Sequence, residues 1–285
     1  MTSSASTSSV SPSLIVRADG QGTALGTRLA SLLRSRGLRR TIVPLAILVG
    51  WQLLAEFGLI NRRFMSSPLD IGVTLWAAAR SGELFTNLGI SLWRAAVGLL
   101  LGASTALVAG VVSGLSQRGE DALDSTIQAV RTLPYLGLVP LFILWFGLGE
   151  LSKVLMVALG SFFPVYLNVF KGIRSVDERF IDLGHAYHLS RFAMVRDVIF
   201  PAALPSALVG LRYAIGTAWL SLVVAEQINA SSGLGWMIVQ ANELAQTGVI
   251  MGALGVYAVV GILADALVRV IERRALSWQR AFKGA

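Results

Sequence analysis

The feature that most limits how this chain can fold is a series of six apolar blocks: Thr41–Ile60, Leu88–Leu115, Ile127–Leu148, Val154–Phe170, Pro205–Ile228 and Val249–Val268. A hydrocarbon layer about 30 Å thick is crossed by about 20 helical residues. Five of the blocks fit that length, and the second is long enough to tilt or to continue past the membrane. Apolar and polar residues do not alternate within the blocks, which argues against membrane strands. Composition agrees: 54% of the 285 residues are hydrophobic and only 14% charged, where a soluble domain has about a quarter. The expected class is an all-α membrane protein of about six transmembrane helices.

Charge placement gives the expected orientation. With the N-terminus inside, the cytoplasmic segments carry seventeen basic residues, from Arg17, Arg28, Arg34, Arg36, Arg39 and Arg40 through Arg118, Lys171, Arg174, Arg179, Arg191 and Arg196 to Arg269, Arg273, Arg274, Arg280 and Lys283. The opposite face carries four: Arg62, Arg63, Arg80 and Lys153. Cytoplasmic loops concentrate Lys and Arg, so both termini are expected in the cytoplasm. The net charge of +8 is then a topology signal, and nucleic acid is not an expected partner. Residues 1–40 read as a basic cytoplasmic tail, Ser/Thr-rich at its start and lacking the apolar run of a secretory signal. The same Ser- and Arg-rich, acid-poor composition also describes an organellar transit segment. Residues 41–275 read as the membrane domain and 276–285 as a C-terminal cytoplasmic tail.

The pairs Gly98/Gly102, Gly110/Gly114 and Gly248/Gly252 place small residues four apart on one helix face, where a second helix can approach closely. Packing inside the bundle is the favoured reading, with a subunit interface as the other. Pro134 and Pro140 in the third block and Pro164 in the fourth are expected to kink their helices.

The segment 171–205 is more than a connector. It holds two short amphipathic pieces at helical spacing, Phe180/Leu183/Tyr187 and Phe192/Val195/Ile199, separated by a hinge at His188–Leu189–Ser190. Pro201 and Pro205 are expected to end the second piece. Two apolar faces outside the membrane need cover, either the bundle's own underside and the lipid interface or a partner protein.

This stretch resembles the permease signature of bacterial ABC importers, an acidic-small-small triplet, three residues, a glycine, nine residues, then aliphatic-any-aliphatic-proline. Here the triplet is Asp182–Leu183–Gly184, then come His185, Ala186 and Tyr187, with His188 at the glycine position, and Val198, Phe200 and Pro201 close the pattern at the right distance. Asp, Leu183, His188 and Phe200 depart from the usual residues, and His188 is the notable one, because a left-handed turn suits Gly and not His. "SGELFTNLGISLWRAAVG", "RTLPYLGLVPLFILWFGLGE" and "GTAWLSLVVAEQINASSGLGW" are similar to permeases of the sulfonate/taurine/nitrate group, closest to those for aliphatic sulfonates, and the resemblance covers about 41–280. It implies a type I ABC importer permease bundle in a bacterial cytoplasmic membrane. It further implies a second permease subunit, expected as a homodimer, two cytoplasmic ATPase subunits and an external solute-binding protein. The loop Asp182–Ser190 would dock on the ATPase. Taurine, nitrate or another small organic anion are the alternative cargoes.

No G-x-x-x-x-G-K-[ST] phosphate loop occurs, so ATP is expected on a partner. Cysteine is absent, and His185 and His188 are too few ligands for a metal, so no metal or cofactor site is expected. No intramembrane His or Cys, H-E-x-x-H or G-x-S-x-G supports an enzyme. An autonomous channel or secondary transporter would leave the partner-binding loop without a purpose. Arg94, Arg131 and Arg212 lie within apolar blocks. Intramembrane charge often lines a polar path, so each is a candidate for guiding an anion. The competing reading is snorkelling or bonding to backbone freed by proline.

Overall fold

A computed structural model describes residues 36–61 and 64–277. The stretch 1–35, Arg62, Arg63 and 278–285 lie outside the described residues, and with them most of both expected tails. The described chain is helical, with no strand.

The helix α1, Arg36–Glu56, belongs almost wholly to the first of two compact units. Its apolar part, Ile42–Glu56, is shorter than the expected first span. The second unit carries the other helices. These are α2 (Pro68–Arg80), α3 (Glu83–Leu115), α4 (Gln117–Arg131), α5 (Val139–Phe146) and α6 (Glu150–Arg174). They continue as α7 (Glu178–Ala186), α8 (Arg191–Met194), α9 (Phe200–Asn229), α10 (Leu234–Glu243) and α11 (Thr247–Ala275). Four are long and apolar enough to cross a membrane: α3, α6, the continuous run Arg191–Ile228 and α11. With 33 residues, α3 is about 50 Å long at 1.5 Å per residue and overruns a bilayer core.

The third expected span is not one straight helix. The chain breaks between α4 and α5 with an 85° bend. Leu133 precedes proline and is biased away from helical dihedrals, and Pro134 itself sits at ψ 87° before a 3₁₀ turn, Tyr135–Leu138. Pro140 does not kink a helix but falls in the first turn of α5, where its missing N–H costs nothing. Pro164 lies inside an unbroken α6. Helix α4 is amphipathic and polar, and it is strapped to the bundle. Tyr166 donates to Asp124 at 3.0 Å, and Arg174 pairs with Glu120.

The core is organised around α6, which packs against both α3 and α9. Against α3 the contact is a stripe of small residues at four-residue spacing: Gly98, Gly102, Ala106, Gly110 and Gly114. A Cβ at Gly98 would stand 2.5 Å from Val157 Cβ, one at Gly110 2.9 Å from Val169 Cγ1 and one at Gly114 2.9 Å from Ile173 Cβ. On the other side, Gly210 of α9 comes against the Pro164–Asn168 turn of α6. Gly248 and Gly252 of α11 face Thr74 and Leu75 of α2. These glycines serve packing within the bundle, as the favoured reading has it.

Candidate functional site

Two constructions at opposite ends of α6 stand out. At its C-terminal end, α7 begins at Asp177, whose side chain accepts from Arg179 N–H at 2.9 Å. It ends with two reciprocal backbone bonds. His188 N–H donates to His185 C=O at 2.9 Å and Leu189 N–H to Gly184 C=O at 3.0 Å, the double closure that terminates helices in a left-handed residue. That residue is His188, at φ 53°. The position held by glycine in the signature therefore does need the left-handed conformation, and histidine adopts it here. Gly184 is buried because Met194 and Leu189 lie over it, with a Cβ there 2.5 Å from Met194 Cε. Replacing His188 by Val is expected to destabilise this turn by about 1–2 kcal/mol, the left-handed penalty for a side chain less suited to it than His. Faster hydrogen exchange at the His188 and Leu189 amides would register the change, with His188→Gly close to wild type.

Ser190 restarts the chain as N-cap of α8, accepting from Ala193 N–H at 3.2 Å. The two prolines do not end this piece. A π turn over Val195–Ile199 widens the helix just before Pro201, which cannot donate to the carbonyl four residues back, and the helix runs on through Pro205. The signature residues Leu183, Gly184, Tyr187, Val198 and Pro201 thus line one groove of about 520 Å³. Phe180, Leu183, Tyr187, Phe192 and Phe200 are each more than half exposed. Asp182, His185, Ala186, His188 and Ser190 are exposed as well. Among the described residues, the first face, Phe180/Leu183/Tyr187, stays uncovered, whereas in the second only Phe192 is exposed and Val195 and Ile199 are half-buried.

At the other end of α6 lies a buried polar cluster. Arg94 of α3, 1% exposed, uses its whole guanidinium. Nε and Nη2 donate to Glu150 at 2.6 and 2.7 Å. Nη1 donates to Glu226 at 2.8 Å and to Ser232 C=O at 2.7 Å. Glu226, at the end of α9, also accepts from Gly235 N–H at 2.9 Å and Tyr257 O–H at 3.1 Å, and Ser91 Oγ lies 2.8 Å from it. Ser91 Oγ in turn accepts from Leu234 N–H, and Asn87 Oδ1 from Gly233 N–H. The segment 232–235 is wrapped round Glu226. At Gly233, φ is 108° and a Cβ would stand 2.6 Å from the carboxylate carbon, so only glycine fits.

The three arginines are not brought together. Arg131 is exposed in the last turn of α4, where a positive charge complements the helix dipole. Arg212 of α9 pairs with Glu272 at 2.5 Å and faces Asp265 at 3.4 Å, both on α11. The sequence shows Arg94 inside an apolar block and Lys153 among the basic residues of the outer face, but not that Glu150 lies between them or that Glu226 pairs with Arg94. Opposite charges near the same expected end of two spans were the available signal. Among the described residues no group of acidic and histidine side chains is arranged to hold a metal ion.

Membrane-length helices with a hook whose groove is lined by permease-signature residues point to the membrane-spanning part of a transporter. The chain belongs to the family described as the binding-protein-dependent transport system inner membrane component, which matches residues 98–277. It is 40% identical to the putative aliphatic sulfonates transport permease protein of Bacillus subtilis, over 95% of this chain and 100% of that one. The protein of the same description from Escherichia coli is 43% identical, over 84% and 91%. The taurine transport system permease protein of E. coli is 33% identical, over 86% and 91%. Among solved structures, an inward-facing methionine ABC transporter aligns with TM-score 0.59 at 16% identity, over 71% of this chain and 97% of that one. An amino acid ABC transporter aligns with TM-score 0.59 at 19% identity, over 70% and 97%. These two establish the type I importer permease fold.

Proposed function

We propose that this chain is the permease subunit of an ATP-driven importer that carries aliphatic sulfonates across a bacterial cytoplasmic membrane. The observation that carries the cargo is the 40% and 43% identity, over nearly full length, to permeases described as transporting aliphatic sulfonates. The groove of the α7–α8 hook, with exposed Leu183 and Tyr187, is the docking element for a cytoplasmic ATPase pair. Closure of that pair on ATP would move two permease subunits as rigid bodies and open the cavity outward. In this reading the hook and both termini face the cytoplasm, the Arg94 end faces the external binding protein, and the permease pair is a homodimer. A second reading, taurine as the cargo, is supported by the 33% identity to a taurine permease.

A strain deleted for this chain is expected to fail with ethanesulfonate as sole sulfur source, to grow on sulfate, and to recover when the gene is restored. Loss of growth on taurine but not on ethanesulfonate would select the second reading. Normal growth on both, in a strain with no other sulfonate importer, would overturn the proposal.

A further inference from the structure

The Arg94 cluster opens on a depression of about 530 Å³ lined by Phe85, Thr86, Trp93, Glu150 and Ser232. Its charges are unequally held. The side chains of Arg94 and Lys153 are 1% and 4% exposed, whereas Glu150, which both of them grip, is 50% exposed. Glu226 is fixed from several sides and 0% exposed. Glu150 also makes an imperfect match. Its Oε2 accepts from Arg94 Nε at 2.6 Å, but its Oε1 serves two charged donors, Arg94 Nη2 at 2.7 Å and Lys153 Nζ at 3.0 Å.

We propose that Arg94 and Lys153 form a binding site for the sulfonate group of the cargo, and that Glu150 is its resident occupant, displaced when a sulfonate enters. This rests on the aliphatic-sulfonate reading above and gives that cargo a contact point in the permease. A sulfonate carries one negative charge, as the carboxylate does, and three oxygens in place of two. Each of Nε, Nη2 and Nζ can then donate to an oxygen of its own, which the carboxylate cannot offer. Glu150, already half outside, can swing into solvent, and the cost of freeing it from two buried cations is offset by the sulfonate taking over their hydrogen bonds. Arg94 keeps its position through Glu226 and Ser232. With Glu150 gone, the remaining Arg94, Lys153 and Glu226 carry one net positive charge, which the sulfonate neutralises. Phe85 and Trp93, 63% and 55% exposed, offer apolar surface for a short alkyl chain.

The test is ethanesulfonate binding to the full chain in lipid nanodiscs by titration calorimetry, with thermal unfolding recorded on the same samples. Glu150→Gln keeps the shape and removes the charged competitor. Its dissociation constant is expected to fall about tenfold or more, since an occupied site weakens apparent affinity by the fraction left free. Adding Lys153→Met to that variant is expected to abolish the gain. An unchanged dissociation constant in folded Glu150→Gln overturns the proposal, and so does equal tightening for chloride. Should Glu150→Gln fail to fold, Glu150→Asp, one methylene shorter and unable to span both cations, is read the same way. Sulfonate-dependent growth of wild type with no tightening removes the site alone, whereas absent growth removes the cargo reading.

Discussion

Gly102→Leu is expected to leave almost no folded protein in the membrane, and even Gly102→Ala to be clearly destabilised. A Cβ at this position would be driven into the carbonyl oxygen of Ala158 and the Oγ of Ser161, and would stand 2.9 Å from the Ala158 carbonyl carbon. The obstacle is backbone, which cannot rotate away as a side-chain end can. Relief requires α3 and α6 to separate, and separation also loosens Gly98 on Val157 and Gly110 on Val169. Overpacking of a well-packed site costs about 1–3 kcal/mol and sometimes more, and several contacts moving together place Leu at or beyond the upper end. In lipid no hydrophobic drive compensates, because helix association relies on close packing itself. The control is Gly255→Leu on α11, where nothing lies within 4 Å of an added Cβ. Fluorescence-detected thermal unfolding of the purified chain should rank wild type and Gly255→Leu together, Gly102→Ala lower and Gly102→Leu lowest. A wild-type melting temperature for Gly102→Ala would show that α3 and α6 do not approach as closely as described.

The stripe shows which parts of the fold can be read from one sequence. Four-residue spacing of glycines is a local pattern, so the close-packing face of α3 was legible, although its partner was not. The helical hook was legible for the same reason. Phe180, Leu183 and Tyr187 fall on one face, and the distance from Asp182 to Pro201 matches a known signature. His188 shows the limit of residue identity, since the backbone takes the left-handed turn with histidine where the signature has glycine. Hydropathy averages over a window and carries no direction, so Ile127–Leu148 read as one span although the chain turns 85° within it. Pro201 and Pro205 read as stops because a proline's missing donor is visible in sequence. The π turn that absorbs the first of them is a property of the whole helix. The Arg94 cluster was the least legible. Its members come from α3, α6, α9, the 232–235 segment and α11, and only the packed bundle brings Arg94, Glu150, Glu226 and Tyr257 to one point.

Arg94→Leu is expected to lower stability by about 3–5 kcal/mol, the usual cost of removing one partner from a buried ion pair. For a chain of this size that corresponds to a fall of roughly 10 °C in melting temperature. Glu226 is 0% exposed. Without the guanidinium its charge would rest on Ser91, Tyr257 and Gly235 N–H alone, all of them neutral donors. Glu150 would fare better, since it is half exposed and retains Lys153. The loss is therefore expected to come mainly from stranding Glu226, and a second substitution separates that cause from a mere count of lost hydrogen bonds. Glu226→Gln added to Arg94→Leu removes the stranded charge while keeping an acceptor for Tyr257 and Gly235. If hydrogen bonds alone set the cost, the double variant should melt no higher than Arg94→Leu, because it restores none of the bonds that arginine made. If the stranded charge sets it, the double variant should melt higher than Arg94→Leu, with a gain of several degrees. The same comparison bears on the 232–235 segment, which Arg94 holds through Ser232 C=O and Glu226 through Gly235 N–H. In the double variant Gly235 should recover hydrogen-exchange protection while Ser232 stays loose. A segment loosened uniformly by Arg94→Leu and not tightened at Gly235 by Glu226→Gln would mean that α9 and α10, and not the buried charges, hold this end of the bundle.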